Sequence, residues 1–222
     1  MTTQRPATRR TTAPRLLQLV LLVGVLGLFA LLVVLALTSS EPQSADAEVV
    51  REDSHILNQA SDEKAVLVEF LDFECEVCRA YYPTVEQLRQ EHKDNLTLVM
   101  RYFPIPGHPN STNAAVAVEA AAAQGQLEPM YQRMYETQAE WGESQDSKAQ
   151  VFRRFAKELE LDMEAFDKTV ADPATTARVQ SDFDEGRTLG VNGTPTFFLD
   201  GKKLGIETPD ELVQAVEAAL GE

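Results

Sequence analysis

Two thiols, Cys75 and Cys78, are the only cysteines in this 222-residue chain, and two residues separate them in the run Phe73-Glu74-Cys75-Glu76-Val77-Cys78. An apolar segment, Ala65 to Leu71, precedes the run, and a helical pattern starts at Arg79. A strand that turns at Cys-x-x-Cys and opens a helix sets the first sulfur at the helix N-terminus. There, unpaired backbone N–H groups and the macrodipole favour the thiolate. A thiolate attacks disulfides, and a second thiol one turn away can attack the resulting mixed disulfide and release the partner.

Three blander readings compete. Structural zinc needs about four ligands, and the remaining candidates, His55, His92 and His108, are scattered along the chain, so no metal is expected. An inert disulfide across so short a loop removes little unfolded-state entropy. A domain that has kept the shape and lost the activity stays open.

The elements that must position the cysteines follow from the flanking pattern. Ala65 to Asp72 is expected as a buried strand, nearly continuous in apolar residues apart from Glu69. Cys75 to His92 is expected as a helix interrupted and kinked at Pro83, and Leu96 to Phe103 as a second strand, parallel to the first because a helix joins them. Pro104 to Pro109 reads as a loop. A helical section follows at about residues 111–189: Ala114 to Gln124 capped by Ser111 or Thr112, Leu127 to Gln138, Ala149 to Leu159, Met163 to Val170 and Pro173 to Leu189, with 140–147 as a loop. His108, Trp141, Met130 and Met134 are expected as loop anchors and core. Thr196 to Leu199 and Lys202 to Leu204 form a hairpin around Asp200-Gly201, and Thr208-Pro209 opens a last helix.

Upstream, residues 1–15 carry four arginines and no acid, a cytoplasmic flank by the positive-inside rule. Residues 16–38 contain the apolar run Leu16 to Leu37, about 33 Å as a helix against a hydrocarbon core of about 30 Å. A single transmembrane signal-anchor is the expectation. A cleaved signal peptide is the alternative, with Ala45-Asp46-Ala47 as its site. Residues 39–54 read as an acidic linker and residues 55–222 as one outward-facing domain. All 35 acidic residues follow the apolar run, and the chain's net charge is −15. That surface argues against nucleic acid as a partner.

The element order, the Cys-x-x-Cys, Gly193-Thr194-Pro195 before the hairpin, and the runs FLDFECEVCRAYYP and LGVNGTPTFFLDGKKL together resemble the DsbA-like branch of the thioredoxin superfamily. The resemblance implies an α/β thioredoxin fold with an inserted helical subdomain. It implies that Cys75 is the exposed nucleophile and Cys78 the recessed resolving thiol, and that Pro195 is a cis-proline. Thr194 would then pair with an extended substrate, and Glu76 and Val77 would lie at the same face. Glu69, six residues before Cys75, falls where the superfamily carries a buried acid able to take the Cys78 proton. A solvated or paired carboxylate is its plainer reading, and a trans bond that of Pro195. The implied partners are exported cysteine-containing polypeptides and a membrane redox protein that reoxidises the dithiol, with no cofactor. The short polar linker offers no dimerisation segment, so a monomer is expected.

Where strongly oxidising members often place Pro and His between the cysteines, this chain has Glu76-Val77, with Asp72 and Glu74 close by as further carboxylates expected to repel a thiolate. A disulfide-forming or disulfide-reshuffling enzyme is the leading expectation. A reductase keeping exported thiols reduced, as for cytochrome maturation, is the alternative within the enzyme class. A non-catalytic polypeptide-binding module is the alternative outside it.

Overall fold

Ala65–Leu71 (β2) alternates between two covered faces, which is why it reads as an almost unbroken apolar run. Leu67 and Leu71 enter the larger core, while Val68 and Phe70 enter a smaller one with Val99, Phe103, Val191 and Phe198. The computed structural model describes residues 48–221. Around β2 it forms a five-stranded mixed sheet in the order β1-β3-β2-β4-β5, with His55–Asn58 as β1, Leu96–Tyr102 as β3, Thr196–Leu199 as β4 and Lys202–Lys203 as β5. β2 and β3 run parallel, as the intervening helix requires, and the other three pairings are antiparallel.

Glu76–Glu91 (α1) packs its Cys78, Tyr81, Val85 and Leu88 face into the larger core, and Pro83 lies inside this one continuous helix. The helical section is Ser111–Ala122 (α2), Leu127–Glu136 (α3), Gln138–Trp141 (α4), Ala149–Glu158 (α5), Met163–Ala171 (α6) and Pro173–Thr188 (α7); Pro209–Leu220 (α8) closes the fold beside α1. Gly186 lets α7 approach the sheet. A Cβ there would lie 2.9 Å from Phe103 and 3.0 Å from Phe70, closer than packed carbons tolerate. Asp200 and Gly201 both take positive φ, 49° and 76°, the primed turn expected of the hairpin.

Three local expectations are corrected. Trp141 lies in α4 rather than a loop, 1% exposed, with its ring 4.8 Å from Phe152. Asn110, not Ser111 or Thr112, is the N-cap of α2, because the Ser111 hydroxyl donates to Asp72 instead. Residues 48 to 54, read as linker, dock on α7. Buried Arg101 binds Asp182, Glu185 and the Glu48 carbonyl, while Arg51 binds Ser181 and Glu185. Among the described residues no helix is long and apolar enough to cross a membrane. The span expected over Leu16 to Leu37 lies outside them.

Candidate active site

Cys75 is the N-cap of α1 (φ −71°, ψ 122°), and its own N–H donates to the Asp72 carbonyl at 3.2 Å. This places its sulfur at the unpaired N–H groups of the first turn. Expected as exposed, Cys75 is 5% exposed, because the loop before β4 covers it: its Sγ donates to the Thr194 carbonyl at 3.4 Å. Cys78 is fully buried, both cysteines are free thiols, and Thr194-Pro195 is a cis peptide. Val77 and Glu76, between the sulfurs, are exposed. The structure thus brings Cys75, Cys78, Thr194 and Pro195 to one place, with Glu76 and Val77 as its outer rim.

The two thiols differ sharply in acidity. A hydrogen bond from Cys78 acts most strongly on Cys75. Burial opposes it, and Thr194 and the backbone N–H groups of Cys78 and Val77 assist, so the thiol falls to about 6. Burial, followed by that same bond and the charge of Glu69, pushes Cys78 well above the ordinary thiol range. At neutral pH one sulfur is a thiolate and the other a thiol.

Glu69 lies on the β2 face that carries Leu67 and Leu71, 2% exposed, in the core into which α1 packs. Burial first, then the charges of Cys75 and Glu86, raise it to about 8. The carboxyl therefore holds its proton at neutral pH and can exchange it near physiological conditions.

Asp72 and Glu74, the further carboxylates expected beside the thiolate, are buried and bonded rather than solvated. Both are 1% exposed. Asp72 accepts from Glu74 N at 2.9 Å, Ile105 N at 3.0 Å and the Ser111 hydroxyl at 2.6 Å, and its Oδ2 lies 2.7 Å from His108 Nδ1. Glu74 accepts from Asn110 N at 2.6 Å. These bonds lace the cysteine loop to the loop after β3.

Gln138 is a site residue that sequence reasoning missed. Its buried Nε2 donates to the carbonyls of Phe73 at 2.7 Å and Cys75 at 2.9 Å, fixing the turn that presents the first sulfur. Only its place at the joint between α3 and α4 could have flagged it.

Comparison with known proteins agrees with this geometry. A thioredoxin family profile matches residues 58–218. A thioredoxin-like oxidoreductase from Silicibacter pomeroyi DSS-3 superposes with a TM-score of 0.65 at 28% identity, covering 80% of this chain and 98% of that one. Alpha-DsbA1 of Wolbachia pipientis superposes at 0.64 with 16% identity, over 78% and 93% of the two chains, a likeness of fold. Among curated sequences, a Mycobacterium sp. (strain KMS) protein named Na(+)/H(+) antiporter NhaA 1 is 34% identical over 189 residues, 81% of this chain. The chain spans only 29% of that relative's length. The profile over most of the chain, the Cys-x-x-Cys at a helix N-terminus and the mixed sheet place this chain in the thioredoxin family.

Proposed function

We propose that the chain is a thiol-disulfide oxidoreductase, exported and tethered to the membrane, that forms or reshuffles disulfides in secreted or envelope polypeptides. The observation that carries this reading is the divergence of the two thiols, one lowered to about 6 and exchange-ready, the other buried and protonated. Export and tethering rest on the arginine flank and apolar run of the sequence.

In the oxidising direction a client thiolate attacks Cys75 Sγ of the Cys75–Cys78 disulfide, forming the mixed disulfide and expelling Cys78 as a thiolate. Glu69, protonated at neutral pH, supplies the proton that this buried sulfur needs. A second client thiolate then attacks the client sulfur, the client disulfide forms and Cys75 leaves as a thiolate. The two electrons remain in the dithiol until a membrane redox partner accepts them. In reshuffling, Cys75 opens a client disulfide and Cys78 attacks Cys75 Sγ, its proton passing to Glu69 in the fraction where that carboxyl is ionised; this leaves the Cys75–Cys78 disulfide and a client dithiol, and the oxidising sequence then returns the disulfide to a different pair of client thiols. Extended client backbone would pair beside Thr194 and Pro195, with Glu76 and Val77 touching its flanks.

The test is trapping. A Cys78→Ala variant in intact cells should accumulate mixed disulfides with exported proteins, and a Cys75→Ala variant should not. Equal adducts from both variants, or none from either, would overturn the reading.

A further inference from the structure

Four carboxyl groups, Asp72, Glu74, Glu76 and Glu143, lie on or beside the cysteine loop, yet Cys75 is acidified. His108 faces this group from the loop after β3: Asp72 bonds its Nδ1, and the charges of Cys75, Glu74, Glu76 and Glu143 all act on it. Its imidazole is 28% exposed, so the ring is partly screened. Asp72 ties it to the site twice, through the 2.7 Å contact with its carboxylate and through the Cys75 N–H on its carbonyl.

We propose that His108 is a positioning residue of the dithiol centre: clamped by Asp72, its imidazolium offsets the carboxylates around Cys75 and stabilises the thiolate from outside the Cys-x-x-Cys. The inference rests on the thiol-exchange reading above. No imidazole stands between the cysteines, and this one reaches the same charge from a different loop.

An ionised carboxylate only accepts, so against one the ring donates through Nδ1 and becomes a cation by protonating Nε2. Burial lowers the His108 pKa, but the bond to Asp72 and the charges of Asp72, Cys75 and Glu74 outweigh it and raise it above the usual value. Coupling is reciprocal. If the thiolate favours the imidazolium, the imidazolium favours the thiolate by the same free energy. With Cys75 at about 6 and His108 raised, the window in which both partners are charged opens near 6 and closes at the raised pKa of His108. As pH rises through the folded pKa of His108, the stabilisation of the thiolate is lost.

The experiment uses the full-length chain, reduced, in mild detergent. Iodoacetamide rates at Cys75 are followed against pH in the wild type, His108→Gln and His108→Lys. The Gln variant should move the midpoint up by about one unit, about tenfold less thiolate relative to thiol in the acid limb. Lys, which restores a cation, should recover most of that shift. A reciprocal reading needs no variant: in the wild type, the His108 ring-proton titration should move to lower pH once Cys75 is alkylated. An unchanged midpoint in His108→Gln, a Lys variant that behaves as Gln does, or a His108 titration indifferent to alkylation would overturn the inference while leaving thiol exchange intact. A wild-type Cys75 that neither titrates below pH 7 nor exchanges with glutathione disulfide would overturn both.

Discussion

Replacing Glu69 by Gln should shift the stability of the reduced protein in the variant's favour as pH rises, by an amount calculable from the raised pKa of the carboxyl. Burial raises this carboxyl from 4.5 to about 8, so the folded state holds a proton that the unfolded chain releases. A carboxyl raised on folding gives its full stability below about 4.5 and loses it progressively up to about 8. At about 1.4 kcal/mol per unit of pH within that window, the wild type should lose about 3 to 4 kcal/mol between pH 5 and pH 8 through this group alone. Glutamine does not titrate, and whatever its amide costs in the same pocket is the same at both pH values. The gap between variant and wild type should therefore widen by that amount. Urea unfolding of the reduced chain at pH 5, 7 and 8, followed by the fluorescence of the single tryptophan, Trp141, which is buried, measures it. A gap that stays constant across the three pH values, or a variant that is less stable at pH 8 than at pH 5 relative to wild type, would refute the assignment of a buried, proton-holding Glu69. The same carboxyl makes a kinetic signature. Resolution by Cys78 in the wild type should rise with pH and begin to flatten at about 8, where the base is half ionised, whereas Glu69→Gln should keep rising because only hydroxide can remove the buried proton.

Three further outcomes are expected. Alkylation with iodoacetamide should modify Cys75 with a midpoint near pH 6 and leave Cys78 almost untouched under native conditions, as the opposed shifts of the two thiols require; comparable rates at pH 7 would contradict the site. Glu76→Gln should make the protein more oxidising, but by no more than about 10 to 20 mV in glutathione equilibration, since Glu76 is exposed and a solvated carboxylate acts on the thiolate with about 1 kcal/mol or less. The parent potential should fall between about −130 and −230 mV, between the extremes of DsbA and thioredoxin. Gly186→Ala should cost about 1 to 3 kcal/mol in urea unfolding, because the new methyl meets the rings of Phe70 and Phe103 and α7 must lift from the sheet.

What the sequence made legible was local. The thiol pair, its seat at a helix N-terminus, the parallel strands around it, the Asp-Gly hairpin and the acid within the apolar run of β2 each leave a signature within a few residues, whereas the cis bond at Thr194-Pro195 was legible only through the family resemblance. What escaped was made by contacts across the chain. Gln138 and His108 are ordinary polar residues until folding carries them more than thirty positions to the cysteine loop. The partners of Asp72 and Glu74 escaped for the same reason, since Ile105, His108 and Asn110 lie more than thirty positions downstream. Residues 48 to 54 looked like tether by composition, since the partners that hold them, Arg101 and Glu185, lie far downstream.

The ends of the sheet bear on how such a protein would live among unfolded chains. An open sheet edge is a template on which any extended polypeptide can add a strand and seed aggregation. Here one edge, β5, is two residues long, and both are exposed lysines; the other, β1, is four residues long, and its register with β3 shifts between Ile56 and Asn58. Neither offers a straight row of free amides. Under the proposed function, an extended client would thereby be denied the two places where pairing is indiscriminate, which would leave the backbone beside Thr194, whose carbonyl lies 3.4 Å from the Cys75 sulfur, as the place where its encounter ends in exchange rather than in a deposit.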